Sequence, residues 1–256
     1  MRSDAKKLES GRMEGQTLDD YKWVHERHRI FPEVFENRQH SEVMDISAGI
    51  GLVAKRILER YKCRMTCNEV DGSCVKELNK LEAKIVSLDI DTGAKLPLED
   101  NSYDAIICLA TLEHLINIDA FVEDLRRILR DSGRLYISVP NYASAYWMVP
   151  LLRGWTFHDP LDEKSRYEFY AHIRYFTYHT LIRYMEHFGF SADSVYLPLP
   201  EGSTRMHKIR RRSKLLALSI KEIFRLLYML SPRWHQEPVV CFQKGHHPGK
   251  IRKVIL

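Results

Sequence analysis

Five short apolar runs alternate with segments of helical periodicity through the centre of the chain. Glu42–Ile46, Met65–Glu69, Lys84–Asp89, Asp104–Leu109 and Arg134–Val139 read as strands. Between them Leu52–Tyr61, Ser73–Leu81 and Asp119–Arg130 read as helices, the last with Phe121, Val122, Leu125, Ile128 and Leu129 on one face and Gly133 as its stop. Strands separated by helices of this size require right-handed crossovers and hence a parallel sheet. Two later strands, Asp193–Leu197 and Glu237–Gln243, flank a long interruption.

The flanks are less regular. Residues 1–16 are polar and glycine-containing and read as a mobile leader. Thr17-Leu-Asp-Asp20 has the form of a capping box, predicting a helix that carries Tyr21, Val24 and Ile30. Pro32 interrupts it, and Phe31, Val34 and Phe35 are expected to pack on the chain just downstream. Beyond Pro140-Asn141 the pattern loosens. Residues 141–172, rich in aromatics and holding Pro150 and Pro160, read as an irregular substrate cap. Phe176–Phe188 reads as a helix closed by Gly189. Residues 17–243 thus form one domain with a basic helical insertion at about 200–236, followed by a loose basic tail at 244–256.

The stretch Val43-Met-Asp-Ile-Ser-Ala-Gly-Ile-Gly-Leu52 carries the most chemistry. An apolar strand ends in an acid, turns through small residues and opens a helix, the arrangement with which Rossmann-like sheets bring backbone close to a nucleotide. Asp45 would repel a pyrophosphate but attract a ligand's ammonium group. A third glycine in the G-x-G-x-x-G register would fall at Leu52 and is absent. Both points favour S-adenosylmethionine over NAD and oppose a nicotinamide oxidoreductase.

Two further strand ends carry acids. Glu69 follows Asp45 by 24 residues, near the spacing of about 20 at which a carboxylate meets a ribose diol. Asp89 can accept from an adenine amino group, with Ile90 supplying an apolar face; a turn-forming Asp is the alternative. Three acids at three successive strand ends point into the crevice where open α/β sheets bind ligands.

The segment Asp104-Ala-Ile-Ile-Cys-Leu-Ala-Thr-Leu-Glu-His-Leu115, preceded by Leu96-Pro-Leu-Glu-Asp-Asn-Ser-Tyr103, resembles class I S-adenosylmethionine-dependent methyltransferases, the small-molecule group that includes quinone-biosynthesis enzymes. Arg127–Tyr136, His172-Ile-Arg-Tyr-Phe-Thr177 and Gly189-Phe190 are similar to later segments of that family. The resemblance covers about residues 20–200 and the last strand. It implies a Rossmann-like, seven-stranded, mostly parallel sheet with helices on both faces. It also implies that Asp45, Ser47, Ala48, Gly49 and Gly51 surround the methionine moiety, that Glu69 holds the ribose, and that Asp89 and Ile90 contact adenine. The backbone at Leu109 would lie near the sulfonium end, and Arg27 is similar to an arginine used by some members on the cofactor carboxylate. Ser47 departs from the family's glycine, and its Cβ resists a positive φ.

For the acceptor side, His114 is the leading base, with a helix-start histidine bonded to backbone as the alternative. Glu113 can orient it or assist a metal, although no metal is expected; His172 and Tyr178 border the acceptor pocket. Cys63, Cys67 and Cys74 lack zinc spacing and read as core thiols.

At 256 residues and 45% hydrophobic, the chain is sized for one elaborated domain. No apolar run reaches membrane-spanning length. Five cysteines without a framework, and a start lacking a signal-type apolar segment, suggest the cytoplasm. The net charge of +5 is concentrated in six basic residues from Arg205 to Lys214. After them Leu216, Ile220, Ile223, Leu227 and Leu230 recur at helical spacing. Such a helix over 205–230 either packs its apolar face on the domain, the favoured reading, or lies on an anionic membrane. Nucleic acid is disfavoured as a partner: no RNA-binding module is present, and Leu109-Ala-Thr-Leu lacks the Asn/Asp-Pro-Pro-aromatic motif of base-amino methyltransferases. The expectation is a cytoplasmic S-adenosylmethionine-dependent methyltransferase acting on an oxygen of a small molecule, saccharide or lipid-linked intermediate. A catalytically silent scaffold acting through the basic helix is the alternative, and an RNA methyltransferase ranks lower.

Overall fold

The computed structural model describes residues 3–21, 24–163, 165–202, 204–247 and 249–256, with the side chains of 3–6, 204 and 205 outside the description. The Arg205 side chain of the basic cluster therefore lies outside it. Burial on both faces explains why the central strands read as continuous apolar runs rather than alternating ones. Along β1 (Glu42–Ile46), Val43 joins Ile57 in one core layer while Met44 and Ile46 join Phe121 and Leu125 in the other.

The strands β2 (Arg64–Asn68), β3 (Ala83–Val86), β4 (Tyr103–Leu109), β5 (Leu129–Ser138), β6 (Phe190–Leu197), β7 (Val239–Lys244) and β8 (Arg252–Ile255) complete one sheet of order β3-β2-β1-β4-β5-β7-β6-β8. The first five strands are parallel, β7 is antiparallel to both β5 and β6, and β8 is parallel to β6. Helices α1 (Ser3–Met13), α2 (Glu26–Arg29), α3 (Leu52–Arg60), α4 (Gly72–Leu78), α5 (Ile118–Ile128), α6 (Ala145–Leu152), α7 (Arg166–Ala171), α8 (Tyr178–His187), α9 (Thr204–Arg212) and α10 (Lys214–Leu230) surround it. Strand order reverses between β1 and β4, the switch point where such sheets open a crevice at their carboxyl ends.

The sheet has eight strands rather than the expected seven. Val195–Leu197 of β6 would otherwise be an open edge, and Lys253–Ile255, from the tail expected to be loose, pairs with it. Helix α5 stops at Ile128, not at Gly133. Its C-cap Leu129 is already extended and pairs with Tyr103, so ladder pairing takes over from the helix. Gly133 matters sterically instead, because a Cβ there would lie 2.7 Å from Leu129 Cδ1 and 2.9 Å from the Arg130 carbonyl.

Thr17–Asp20 forms a turn, not a helix start. Thr17 Oγ1 accepts from Asp20 N at 3.2 Å, and Leu18 N donates to Glu77 Oε2 of α4. Among described residues helix resumes only at α2, with Arg27 buried; Trp23 and Lys22 lie outside the description. The segment expected as a leader holds α1, whose Met13 packs with Ile50 and Cys74. Ser10 Oγ donates to Asp71 Oδ2 at 3.0 Å, and the Arg12 guanidinium stands 4.3 Å over the Tyr167 ring.

Helix α10 turns Ala217, Phe224 and Tyr228 inward. Three residues of the expected packing stripe, Leu216, Ile223 and Leu230, face outward instead. The inward line is set by the small Ala217 and by Tyr228, whose ring contacts His235.

Candidate active site

The turn after β1 is built from three left-handed residues, Ser47 (φ 53°), Gly49 (φ 55°) and Gly51 (φ 88°). Ala48 N donates to the Asn68 carbonyl, and Gly49 N donates to Glu69 Oε2 at 2.9 Å. The other Glu69 oxygen accepts from Val70 N and Asp71 N. The strand-two acid thus braces the glycine turn from outside. Asn68 Nδ2 donates to the carbonyls of Val86 and Leu88, tying the ends of β2 and β3 together. After β4, Ala110 also takes a positive φ of 51°, and its N–H donates to the Ser138 carbonyl.

Ser47 adopts the conformation its Cβ disfavours. An L-residue there costs about 1–2 kcal/mol, partly offset in glycine by about 0.5–1 kcal/mol of chain entropy. Ser47→Gly is therefore expected to stabilise the fold by about 0.5–1 kcal/mol, raising Tm by a few degrees. Calorimetric melting of both forms checks it, and a lower Tm would show that the hydroxyl outweighs the strain.

A continuous cleft of about 1300 Å³ runs past this turn. Ser47, Ala48, Gly49, Glu69, Asp89, Ile90, Leu109, His114 and His172 line it, and Gly51 and Asp45 do not. Gly51 lies beneath, where a Cβ would meet Leu78 and Leu81. Asp45 sits behind the turn, 3% exposed, with Oδ2 lacking a hydrogen-bond partner among described residues. Burial, helped by the Glu69 charge, pushes its carboxyl up to about 8. Asp89 is exposed and turns one oxygen onto Asp91 N. Tyr178, expected at the acceptor pocket, is instead in the core, its N–H bonded to Asn141 Oδ1. As the first residue of α8 it follows the capping Thr177, and the helix face that packs on the sheet carries it inward.

Arg27 lines the cleft, but its charge is engaged. Its Nη1 is 2.6 Å from Glu237 Oε1, and that pairing, against the cost of burial, holds the Glu237 carboxyl well below its ordinary value.

At the other end of the cleft, the cap supplies a histidine cluster. His114 Nδ1 donates to the Ala171 carbonyl at 3.1 Å, which leaves Nε2 as its lone-pair nitrogen. The His114 and His172 ring centroids are 4.8 Å apart. The Tyr142 hydroxyl lies 2.7 Å from both His172 Nδ1 and His158 Nε2, so it donates to one and accepts from the other. Beneath them Glu113 is fully buried, both carboxylate oxygens lack hydrogen-bond partners among described residues, and burial pushes it up to about 8. Sequence reasoning missed Tyr142, His158 and the Arg27–Glu237 pair. Only the aromatic density of 141–172 hinted at the first two.

Burial holds His40, His114, His158 and His235 down to about 4, His172 to about 2, and His28 well below its ordinary value. An imidazole whose folded pKa lies below its unfolded value of about 6.5 contributes stability above that pH and loses it as pH falls toward the folded value. Asp45 and Glu113, raised to about 8, act oppositely: their contribution is full below about 4 and is lost as pH rises through 8. Glu9 and Glu69 are also raised by burial, but six imidazoles, joined by carboxylates held low such as Glu237 and Asp104, outweigh these four carboxyls on the acid side. Tm is expected to fall steeply between pH 6.5 and 4.5 and only gently between 7 and 9, in melts across a buffer series.

A family model described as a methyltransferase domain matches residues 16–195. The ubiquinone/menaquinone biosynthesis C-methyltransferase of Bartonella tribocorum is 27% identical over 127 residues, which cover 46% of this chain and 48% of that protein. The ubiquinone biosynthesis O-methyltransferase of Xanthomonas oryzae pv. oryzae is 26% identical, covering 44% and 48%. The chain thus spans about half the length of the curated relatives it matches. Among solved structures, a SAM-dependent methyltransferase from Archaeoglobus fulgidus aligns with TM-score 0.56 and 18% identity over 85% of this chain and 91% of that one. The chain solved with the Haloferax volcanii Trm112 methyltransferase activator aligns with TM-score 0.58 and 13% identity over 96% and 99%. At such identities the likeness is one of fold.

Proposed function

The chain belongs to the methyltransferase-domain family, and from that premise we propose that it moves a methyl group from S-adenosylmethionine, the cofactor expected of the family, to an oxygen of a small-molecule, saccharide or lipid-linked acceptor. One observation carries the reading. The glycine turn with its Glu69 brace and the histidine cluster of the cap line one cleft, and its volume of about 1300 Å³ exceeds the roughly 300–1000 Å³ that holds a single ligand. Donor and acceptor fit it together.

The residues suit the cofactor. In this reading Ser47, Ala48, Gly49 and Gly51 shape the turn around the methionine moiety. Glu69 keeps lone pairs beyond its backbone bonds for two ribose hydroxyls. Among described residues the second oxygen of Asp89 has no hydrogen-bond partner, which leaves it for the adenine amino group, and Ile90 lies beside it. Asp45 supports the turn from behind, its buried carboxyl held largely protonated at neutral pH. When bound, the cofactor supplies a methyl carbon activated by a positive sulfur. The protein's work is then alignment, with the Leu109 backbone near the sulfonium end, and removal of the acceptor's proton. His114 is held neutral with Nε2 free, as a proton acceptor must be; His172 stands beside it.

The acceptor is delivered, in this reading, at an anionic lipid surface. On α10, Leu215, Leu218, Leu226, Met229 and Leu230 are all more than half exposed, on the side away from the packed face. Lys208, Arg210, Arg211, Arg212 and Lys214 precede them and are all exposed. An apolar stripe beside a basic cluster suits acidic headgroups over an acyl boundary. Among the described residues no helix is long and apolar enough to cross a membrane.

Calorimetry with S-adenosylmethionine, S-adenosylhomocysteine and NAD tests the premise; binding to the first two and not the third is expected, and no binding to either of them overturns it. Labelled methyl transfer into a fractionated extract then identifies the acceptor class. Flotation with liposomes is expected to require acidic lipid and to be lost in Leu226→Glu/Leu230→Glu. Flotation independent of acidic lipid, or none, removes the surface.

A further inference from the structure

We propose that Glu113, His114 and His172 form a binding site for one divalent transition-metal ion at the acceptor end of the cleft. One ligand atom from each lies within 4.8 Å of the others, and all three residues line the cleft. Neighbouring ligands about 2.1 Å from an ion stand about 3.0–3.4 Å apart in octahedral or tetrahedral geometry, so rotamer adjustments of about an ångström close the shell.

Three independent observations point to a cation. Glu113 is fully buried with neither oxygen hydrogen-bonded among described residues. A buried carboxyl left so is costly unless something positive completes it, and the nearby Arg27 is already in contact with Glu237. Both imidazoles are also oriented from behind in the manner of metal ligands. His114 donates Nδ1–H to a backbone carbonyl and His172 Nδ1 meets the Tyr142 hydroxyl, leaving Nε2 of each for the ion. Finally, the two ligand segments are fastened together, because the Glu113 carbonyl accepts from Ile173 N at 2.9 Å and Arg174 N at 3.2 Å.

The donor set chooses the metal. Two imidazoles and one carboxylate suit Zn²⁺, Fe²⁺, Mn²⁺ or Ni²⁺ rather than Ca²⁺, and three protein ligands leave positions open toward the cleft. With the ion bound, His114 Nε2 is a ligand and no longer a base, and the ion would instead lower the pKa of a hydroxyl brought to it. That consequence rests on the proposed methyl transfer; the site itself does not.

The test is therefore made without cofactor. Metal-stripped protein is titrated with Zn²⁺ against a chromophoric chelator, and with Co²⁺ by absorption. One ion per chain is expected, with affinity falling by about 100-fold or more in His172→Ala and in the near-isosteric Glu113→Gln. Both variants are expected to keep wild-type affinity for S-adenosylmethionine in calorimetry, which shows that they fold and separates this site from the cofactor reading. Absence of saturable one-to-one binding, equal affinity in all three proteins, or a thiolate band with Co²⁺ overturns the proposal.

Discussion

Glu69→Ala is expected to weaken S-adenosylmethionine binding by about 100- to 10,000-fold. Two hydrogen bonds from a ribose diol to a carboxylate contribute about 1.5–3 kcal/mol each, and 1.4 kcal/mol is a factor of ten. The effect has a second source. In the free protein the same carboxylate accepts from Gly49, Val70 and Asp71 N–H groups, so the alanine variant also loses the brace that holds the turn. Three backbone donors near the surface then turn to water, lowering stability by about 1–2 kcal/mol. Glu69→Gln separates the two contributions. It keeps the length of the side chain but turns an amide donor toward N–H groups or hydroxyls, and is expected to fall between wild type and alanine in both affinity and Tm. Calorimetric titration beside thermal melts reads both, and unchanged affinity in Glu69→Ala places the ribose elsewhere.

The second large effect is expected at Gly51. A Cβ there would lie 2.6 Å from Leu78 Cδ2 and 2.9 Å from Leu81 Cδ1, at a φ of 88°. Gly51→Ala combines backbone strain of about 1–2 kcal/mol with overpacking of about 1–3 kcal/mol. Since the two share one backbone movement, the loss is expected at about 2–4 kcal/mol. The relief available is a shift of α3 away from α4, which drags the turn with it. Cofactor binding is therefore expected to fall along with stability. Gly49→Ala makes the comparison: its Cβ would meet nothing within 4 Å, so only the strain of its positive φ is expected in its melt. Equal destabilisation of the two variants would show that crowding under Gly51 is relieved at no cost.

The central strands, the turn at Ser47–Gly51 and the position of Glu69 beside it were legible in the sequence, because each follows from residues near one another in the chain. Apolar runs bounded by small residues and acids fix where strands end, and parallel crossovers bring those ends to one side. The cap was not legible. Tyr142, His158 and His172 meet only because the chain from α6 to α7 folds back along the cleft, and no spacing in 141–172 announces it. Tyr178 shows the reverse error, since a polar aromatic beside a motif suggested the pocket while helix α8 carried it into the core.

The sequence alone determined the parallel α/β sheet and the acids at the ends of its strands, through short-range periodicity and chain handedness. Tertiary structure decided that Lys253–Ile255 closes the open edge of β6, that Asp45 backs the turn rather than lining the cleft, and that Glu113 is buried beside two imidazoles. Those outcomes depend on which surfaces of distant segments fill one another's space and satisfy one another's polar groups, and that information is distributed over the whole chain.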